Sequence, residues 1–299
     1  MNLVTETSRR PLPRMSNALV GAFRMMNRAK PTNPVRTGFC ELDDRVRELA
    51  PKEVTMLAAD SGAGKSTLAT QAVLHAAASG HGGVYLNLEM AEEKYGLRTV
   101  AGHARVHTKR AATGQLSDDE RGRMSHGFES LRVACSRVVL GNAREHRSAK
   151  EIRELCQRAK AELAEEGTPL RLVVVDHVLK IVVRARTDDR DGAGKERADL
   201  LKDLAEALDV HVLALVHITR EGSKTGKMPT KNDLASSAWF DRDADNVLIF
   251  HQRRHPDGTF ATTKATLACQ KSRWGEPFAV ELEYQQGYFY PWTLEARPS

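Results

Sequence analysis

At 299 residues, 41% hydrophobic and 28% charged, the chain can bury a full core as one large α/β domain or as one domain with an appendage, in an ordinary soluble composition. The four cysteines lie far apart with no C-x-x-C spacing and no run of 18 apolar residues occurs, which argues against a zinc site, a disulfide framework and a membrane span and fits a reducing cytosol. A net charge of +6 leans towards polyanionic partners, although so thin an excess also suits a mildly basic enzyme.

Residues 1–14 read as a polar, flexible arm without the apolar stretch of a secretory signal. Residues 15–29 then place Met15, Leu19, Phe23 and Met26 on one helical face, and Pro31 and Pro34 stop the helix. This amphipathic linker could pack on its own domain or dock on a neighbouring copy. Residues 1–35 thus form an arm and linker, and 36–299 form the main domain.

In the main domain strands and helices alternate. Strands are expected at 53–59, 82–89, 136–141, 171–178 and 211–218, and helices at 65–80, 91–106, 148–167 (with Ser148 as N-cap) and 195–209. Later strands follow at 244–252, 265–272 and 278–284, and GYFYPW closes the pattern. Apolar strands alternating with helices imply an α/β fold: a mostly parallel central sheet covered on both faces, with antiparallel, hairpin-linked strands at the end.

The stretch AADSGAGKST (58–67) lies between a strand and a helix, the context of a phosphate-binding loop. Gly62 and Gly64 let backbone N–H groups converge on phosphate oxygens, Lys65 reaches the β- and γ-phosphates, and Ser66 can ligand Mg²⁺. The nucleotide loop as a whole is Ala59, Asp60, Ser61, Gly62, Ala63, Gly64, Lys65, Ser66 and Thr67. Alanine opens the motif where glycine is usual, which is acceptable if Ala59 has a negative φ. ATP with Mg²⁺ is the expected ligand. An acid must hold the metal through water from a neighbouring strand end, and VVVDH supplies Asp176. Hydrolysis also needs a group to orient water. Glu89 ends a strand in LNLEM, although a lone glutamate there is more often a helix cap.

Several ordered motifs between Thr37 and Trp274 resemble the ATPase domain of DnaB-type replicative helicases, a RecA-like P-loop fold. TGFCELDD (37–44), LNLEMAEEKYGLR (86–98), DLASSAWFDRDADNVLIF (233–250) and CQKSRWG (269–275) resemble that family's successive blocks, and its phosphate loop commonly opens with alanine. The resemblance implies that Glu89 is the catalytic base and that Lys271 and Arg273 reach into the neighbouring subunit's ATP, Arg273 as arginine finger. It also puts His217 where the family usually carries a γ-phosphate-sensing glutamine; a capped strand-end histidine is the plain alternative.

Two polar, basic loops follow functional strands, 184–197 and 219–233. They carry Arg184, Arg186, Arg190, Lys195, Lys224, Lys227 and Lys231, and in RecA-like ring motors such loops track single-stranded DNA through its phosphates. Without that context they are ordinary basic surface loops. The expectation is an ATP-dependent DNA helicase: a hexameric ring in the bacterial or phage-infected cytoplasm that moves 5′→3′ on one strand at a replication fork, with a primase or helicase loader as partner. The resemblance also implies that the family's N-terminal collar domain is missing. Ala235, Ser236 and Leu179 depart from the family's arginine, glutamate and glutamine, and VRELAPKE replaces its G-G-L. Two rivals stay open, a RecA/RadA-like recombinase and a nucleotide-gated helicase accessory with little turnover.

Overall fold

A computed structural model describes residues 15–16, 19–20, 34–45, 48–184, 189–219, 228–234, 237–253, 255, 263–285, 287–292 and 294, except the side chains of 190, 237, 238 and 241. The chain divides into two units, Met1–Asn33 with Ser299, and Pro34–Pro298. In the first, the described positions 15–16 and 19–20 are helical; Phe23 and Met26 lie outside the described residues.

The second unit opens on a short helix, α1 (Cys40–Arg45), whose Asp43 explains the TGFCELDD motif. Its carboxylate accepts the Thr37 N–H and hydroxyl, each at 2.8 Å, and the Gly38 N–H at 2.9 Å. Next come β1 (Val54–Ala59), α2 (Lys65–Ala78), β2 (Gly82–Asn87) and α3 (Glu92–His103). The central part runs α4 (Thr108–Ala112), α5 (Asp118–Ser136), β3 (Val138–Asn142), α6 (Ala149–Glu165) and β4 (Leu170–Asp176). It continues with α7 (Arg190–Leu208), β5 (His211–His217), α8 (Ser237–Asp243) and β6 (Asn246–His251). β7 (Lys264–Ser272), β8 (Phe278–Gln285) and β9 (Tyr288–Tyr290) complete the sheet. No described helix is long and apolar enough to cross a membrane.

The nine described strands form one sheet in the order β3-β2-β4-β5-β1-β6-β7-β8-β9. From β3 to β6 all neighbours are parallel, and from β6 to β9 all are antiparallel. β1 is buried throughout, as a strand covered on both faces must be. Its Val54, Met56 and Ala58 join a core beneath α6 and α7, and Leu57 and Ala59 join a second core beneath α2. The hydrophobic runs in the sequence are apolar on both faces for this reason.

The structure alters two expectations. The basic loop drawn over 184–197 ends early, because α7 begins at Arg190; its N-cap Asp189 accepts the Gly192 N–H at 2.7 Å. Two interior glycines each cost a helix about 1 kcal/mol. Packing of Ala198, Leu201, Leu204 and Ala205 into the first core outweighs that local penalty. Arg190 therefore belongs to a helix rather than a loop, and Lys195, where a helix was expected to begin, lies inside one. Residues 107–135 carry no expected element, yet they hold α4 and most of α5, the latter started by a capping box between Ser117 and Glu120.

Candidate active site

Parallel register brings four strand ends to one edge of the sheet. Ala59 of β1 lies beside His217 of β5, and Asn87 of β2 lies beside Asp176 of β4. Crevices outside the carboxyl ends of such strands are where open α/β sheets bind ligands.

Ala59 is buried, extended strand backbone, so its Cβ costs nothing there. Gly64 carries the strain instead: it caps α2 at φ +107°, and a Cβ on it would meet Phe289 at 2.7 Å. No side chain caps α2, which leaves the start of a 14-residue helix aimed into the crevice. Lys65 is only 5% exposed. Its ammonium donates to the carbonyls of Ala59 and Asp60 and to His217 Nδ1, each at 3.1 Å. Burial lowers its pKa to about 8, against the opposing pull of Asp176, Glu89 and Asp60. No described carboxylate lies within ion-pairing distance of it. A buried ammonium beside an uncapped helix start is a cradle for an anion, and the residues present fit a bound phosphate chain.

The acidic residues are tied down individually. Asp176 Oδ2 accepts a 2.9 Å hydrogen bond from the buried Tyr85 hydroxyl, and burial pushes the Tyr85 pKa well above its ordinary value. Asn87 clasps Met90 through both amide atoms, at 2.9 and 3.1 Å, and so fixes the turn that carries Glu89. Glu89 Oε1 lies 2.8 Å from His177 Nε2 and 3.9 Å from His217 Nε2. Burial, then the neighbouring charge of His217, holds the His177 pKa down at about 4. Burial, then the Lys65 charge, lowers that of His217. Ser66 and Thr67 line the same crevice, where Arg98 Nη2 donates to Thr67 Oγ1 at 3.2 Å.

Residues 34–290 match the family model described as DnaB-like helicase C terminal domain. The chain belongs to that family. Among curated relatives, the Replicative DNA helicase DnaB of Buchnera aphidicola subsp. Schizaphis graminum is 30% identical over 73% of this chain and 46% of its own length. That of Leifsonia xyli subsp. xyli is 28% identical over 85% and 54%. The chain thus spans about half the length of the curated relatives it matches. Two solved structures share the fold, each with a TM-score of 0.77 over 93% of this chain. One, described as an ATPase domain, is 20% identical and covered to 99%. The other, a DnaB-like replicative helicase described with its interactions with primase, is 19% identical and covered to 67%. The α/β fold is the RecA-like one that the sequence motifs implied.

In this DnaB-like domain Lys271 and Arg273 stand apart from the crevice. Ser272 pairs with Asn246, and Arg273 binds Asp245 through its N–H to the carbonyl and through Nε to Oδ1, both at 2.9 Å. Asp245 also accepts the Val54 N–H at 2.8 Å and the Lys202 ammonium at 3.2 Å. Val54 starts β1 and Ala59 ends it, so Arg273 lies at the opposite edge of the sheet, about 17 Å along the strand from the phosphate loop, and Lys271, opposite Val247 and so level with Met56, lies about 10 Å from it. Of the basic residues, Arg184 is exposed and its N–H donates to Glu196; Lys231 opens a 3₁₀ turn; Lys195 stands 5.7 Å over the Trp239 ring. Arg186, Lys224, Lys227, Ala235 and Ser236 lie outside the described residues, as does the side chain of Arg190.

Sequence reasoning missed His177, Tyr85 and Asn87. The first follows Asp176 directly in VVVDHV, and a polar residue behind a strand-end acid was the available signal. Tyr85 reads as one more apolar strand residue, and nothing local reveals its hydroxyl contact.

Proposed function

We propose that the chain is the motor of an ATP-dependent replicative DNA helicase. The convergence of Lys65, Ser66, Asp176, Glu89 and His217 on one sheet edge carries this reading. Lys65 and the N–H groups at the start of α2 hold the phosphates of ATP. Ser66 and, through water, Asp176 would hold Mg²⁺, which neutralises charge on the phosphates when bound. Asp176 keeps its orientation through Tyr85. Glu89, with Oε1 occupied by His177, takes a proton from the attacking water. His217 lies between Lys65 and Glu89, placed to sense the terminal phosphate.

Lys271 and Arg273 cannot serve their own crevice from the far edge of the sheet. They serve the next protomer in a head-to-tail ring, a hexamer as in the family, where such a finger raises turnover by roughly 10³–10⁵. Arg184, Arg186, Arg190, Lys195, Lys224, Lys227 and Lys231 are the candidate contacts to single-stranded DNA, and primase or a loader meets the ring at the fork. Forked duplexes with a single 5′ or 3′ tail test the reading. With ATP and Mg²⁺ the chain separates the fork that offers a 5′ tail, and Lys65→Ala separates neither. ATP turnover without strand separation on either fork contradicts a helicase.

A further inference from the structure

Glu89 faces two imidazoles, and the protons on those rings can be placed. His177 Nδ1 accepts the Leu179 N–H at 3.2 Å, so the ring's proton is on Nε2, which lies 2.8 Å from Glu89 Oε1. His217 Nδ1 faces the Lys65 ammonium at 3.1 Å; lysine offers only donors, so this ring too carries its proton on Nε2, 3.9 Å from the same oxygen. The rings meet edge to face with centroids 4.5 Å apart and an 86° interplanar angle. The three facing atoms lie within 4.8 Å of one another, a spacing a metal could use. A metal-bound imidazole, however, donates from its far nitrogen, and here both far nitrogens accept. The geometry suits a held carboxylate better than a metal.

We propose that His177 is the positioning residue of Glu89: its fixed Nε2–H donor anchors Oε1 and leaves Oε2 for the attacking water. His177 is itself rigid. Its side chain is 6% exposed, it follows the buried Asp176, and the Leu179 N–H fixes its ring. Glu89, by contrast, has a side chain 38% exposed and stands beyond the end of its strand, so its placement depends on what holds it. His217 is the second, longer contact and ties the base to Lys65.

The inference rests on the reading of Glu89 as the catalytic base. It is tested by steady-state ATP turnover of the full chain with single-stranded DNA, alongside binding of a fluorescent non-hydrolysable ATP analogue. His177→Met keeps the size of the side chain but removes the donor, whereas His177→Gln can still donate from its terminal amide. His177→Met is expected to lose about tenfold to a hundredfold in kcat, as misplacement of a reacting group does, with analogue binding and KM within about twofold. His177→Gln recovers most of the loss. Adding His177→Met to Glu89→Gln slows turnover no further, because the two act as one unit. Wild-type kcat in His177→Met with Glu89→Gln inactive overturns the positioning role and leaves the base standing; wild-type turnover in Glu89→Gln overturns both. If His177→Met no longer binds the analogue, His177→Gln decides: bound nucleotide with lost turnover contradicts the proposal.

Discussion

His211 shows how the fold uses burial to hold a side chain neutral. The ring lies at the start of β5, wholly buried, between the Ala50 carbonyl at 2.8 Å and the Thr55 hydroxyl at 3.0 Å. Burial lowers its pKa from 6.5 to about 4. The unfolded chain therefore binds a proton that the folded chain refuses. The stability that His211 contributes is complete above about pH 6.5 and is lost as pH falls towards 4, about 3 kcal/mol in all at ~1.4 kcal/mol per pH unit. Urea unfolding from about pH 7 down to about pH 4.5 should show His211→Gln losing less stability than the wild type over that interval; equal losses would contradict the assignment. His177, also held near 4 by burial, adds a loss of the same sign that remains in the variant. That Lys65, Ser66 and Asp176 share one crevice was legible in the sequence, the first two from the fixed spacing of a phosphate loop and the third as an acid ending an apolar strand. Tyr85 and His177 were not, because their roles depend on which neighbouring strand they face, and pairing is not written locally.

The start of α6 was legible because a side chain sets it. The Ser148 hydroxyl accepts the Glu151 N–H at 3.3 Å, and the Glu151 carboxylate accepts the Ser148 N–H at 2.8 Å, a complete capping box on α6. Ser148→Ala should cost about 1 kcal/mol in denaturant unfolding and leave ATP turnover unchanged, since Ser148 does not line the crevice. An unchanged midpoint would show that the box contributes nothing. The same signature, S-D-D-E, begins α5, yet that helix is hidden in the sequence because its buried face is so thin: Gly127, Leu131 and Ala134. α7 misleads in the other direction. Glycines at 192 and 194 look like loop, and only packing against the core shows otherwise. The late strands were legible as hairpins because their alternation, exposed and buried by turns in β7 and β8, is that of an antiparallel sheet edge.

At the scale of the whole molecule, the sheet order decides what one chain can do alone. The parallel strands open their carboxyl ends on Lys65, Glu89, Asp176 and His217, while Arg273 binds Asp245 at the amino ends and Lys271, two residues before Arg273, pairs with Val247. No sequence motif states this separation, since it arises from β7 running back antiparallel to β6. On the proposed reading, with Arg273 as the finger, the crevice would be half a site that the next chain in a head-to-tail ring completes. Mixing two inactive variants tests this most directly. Lys65→Ala lacks the phosphate lysine and Arg273→Ala lacks the finger, so each alone should be silent in DNA-stimulated ATP hydrolysis. Mixed in equal amounts, they should regain roughly a quarter of wild-type turnover, the chance that a random head-to-tail interface joins an intact Lys65 to an intact Arg273. A mixture as silent as its components, or wild-type turnover by Arg273→Ala alone, would contradict the account.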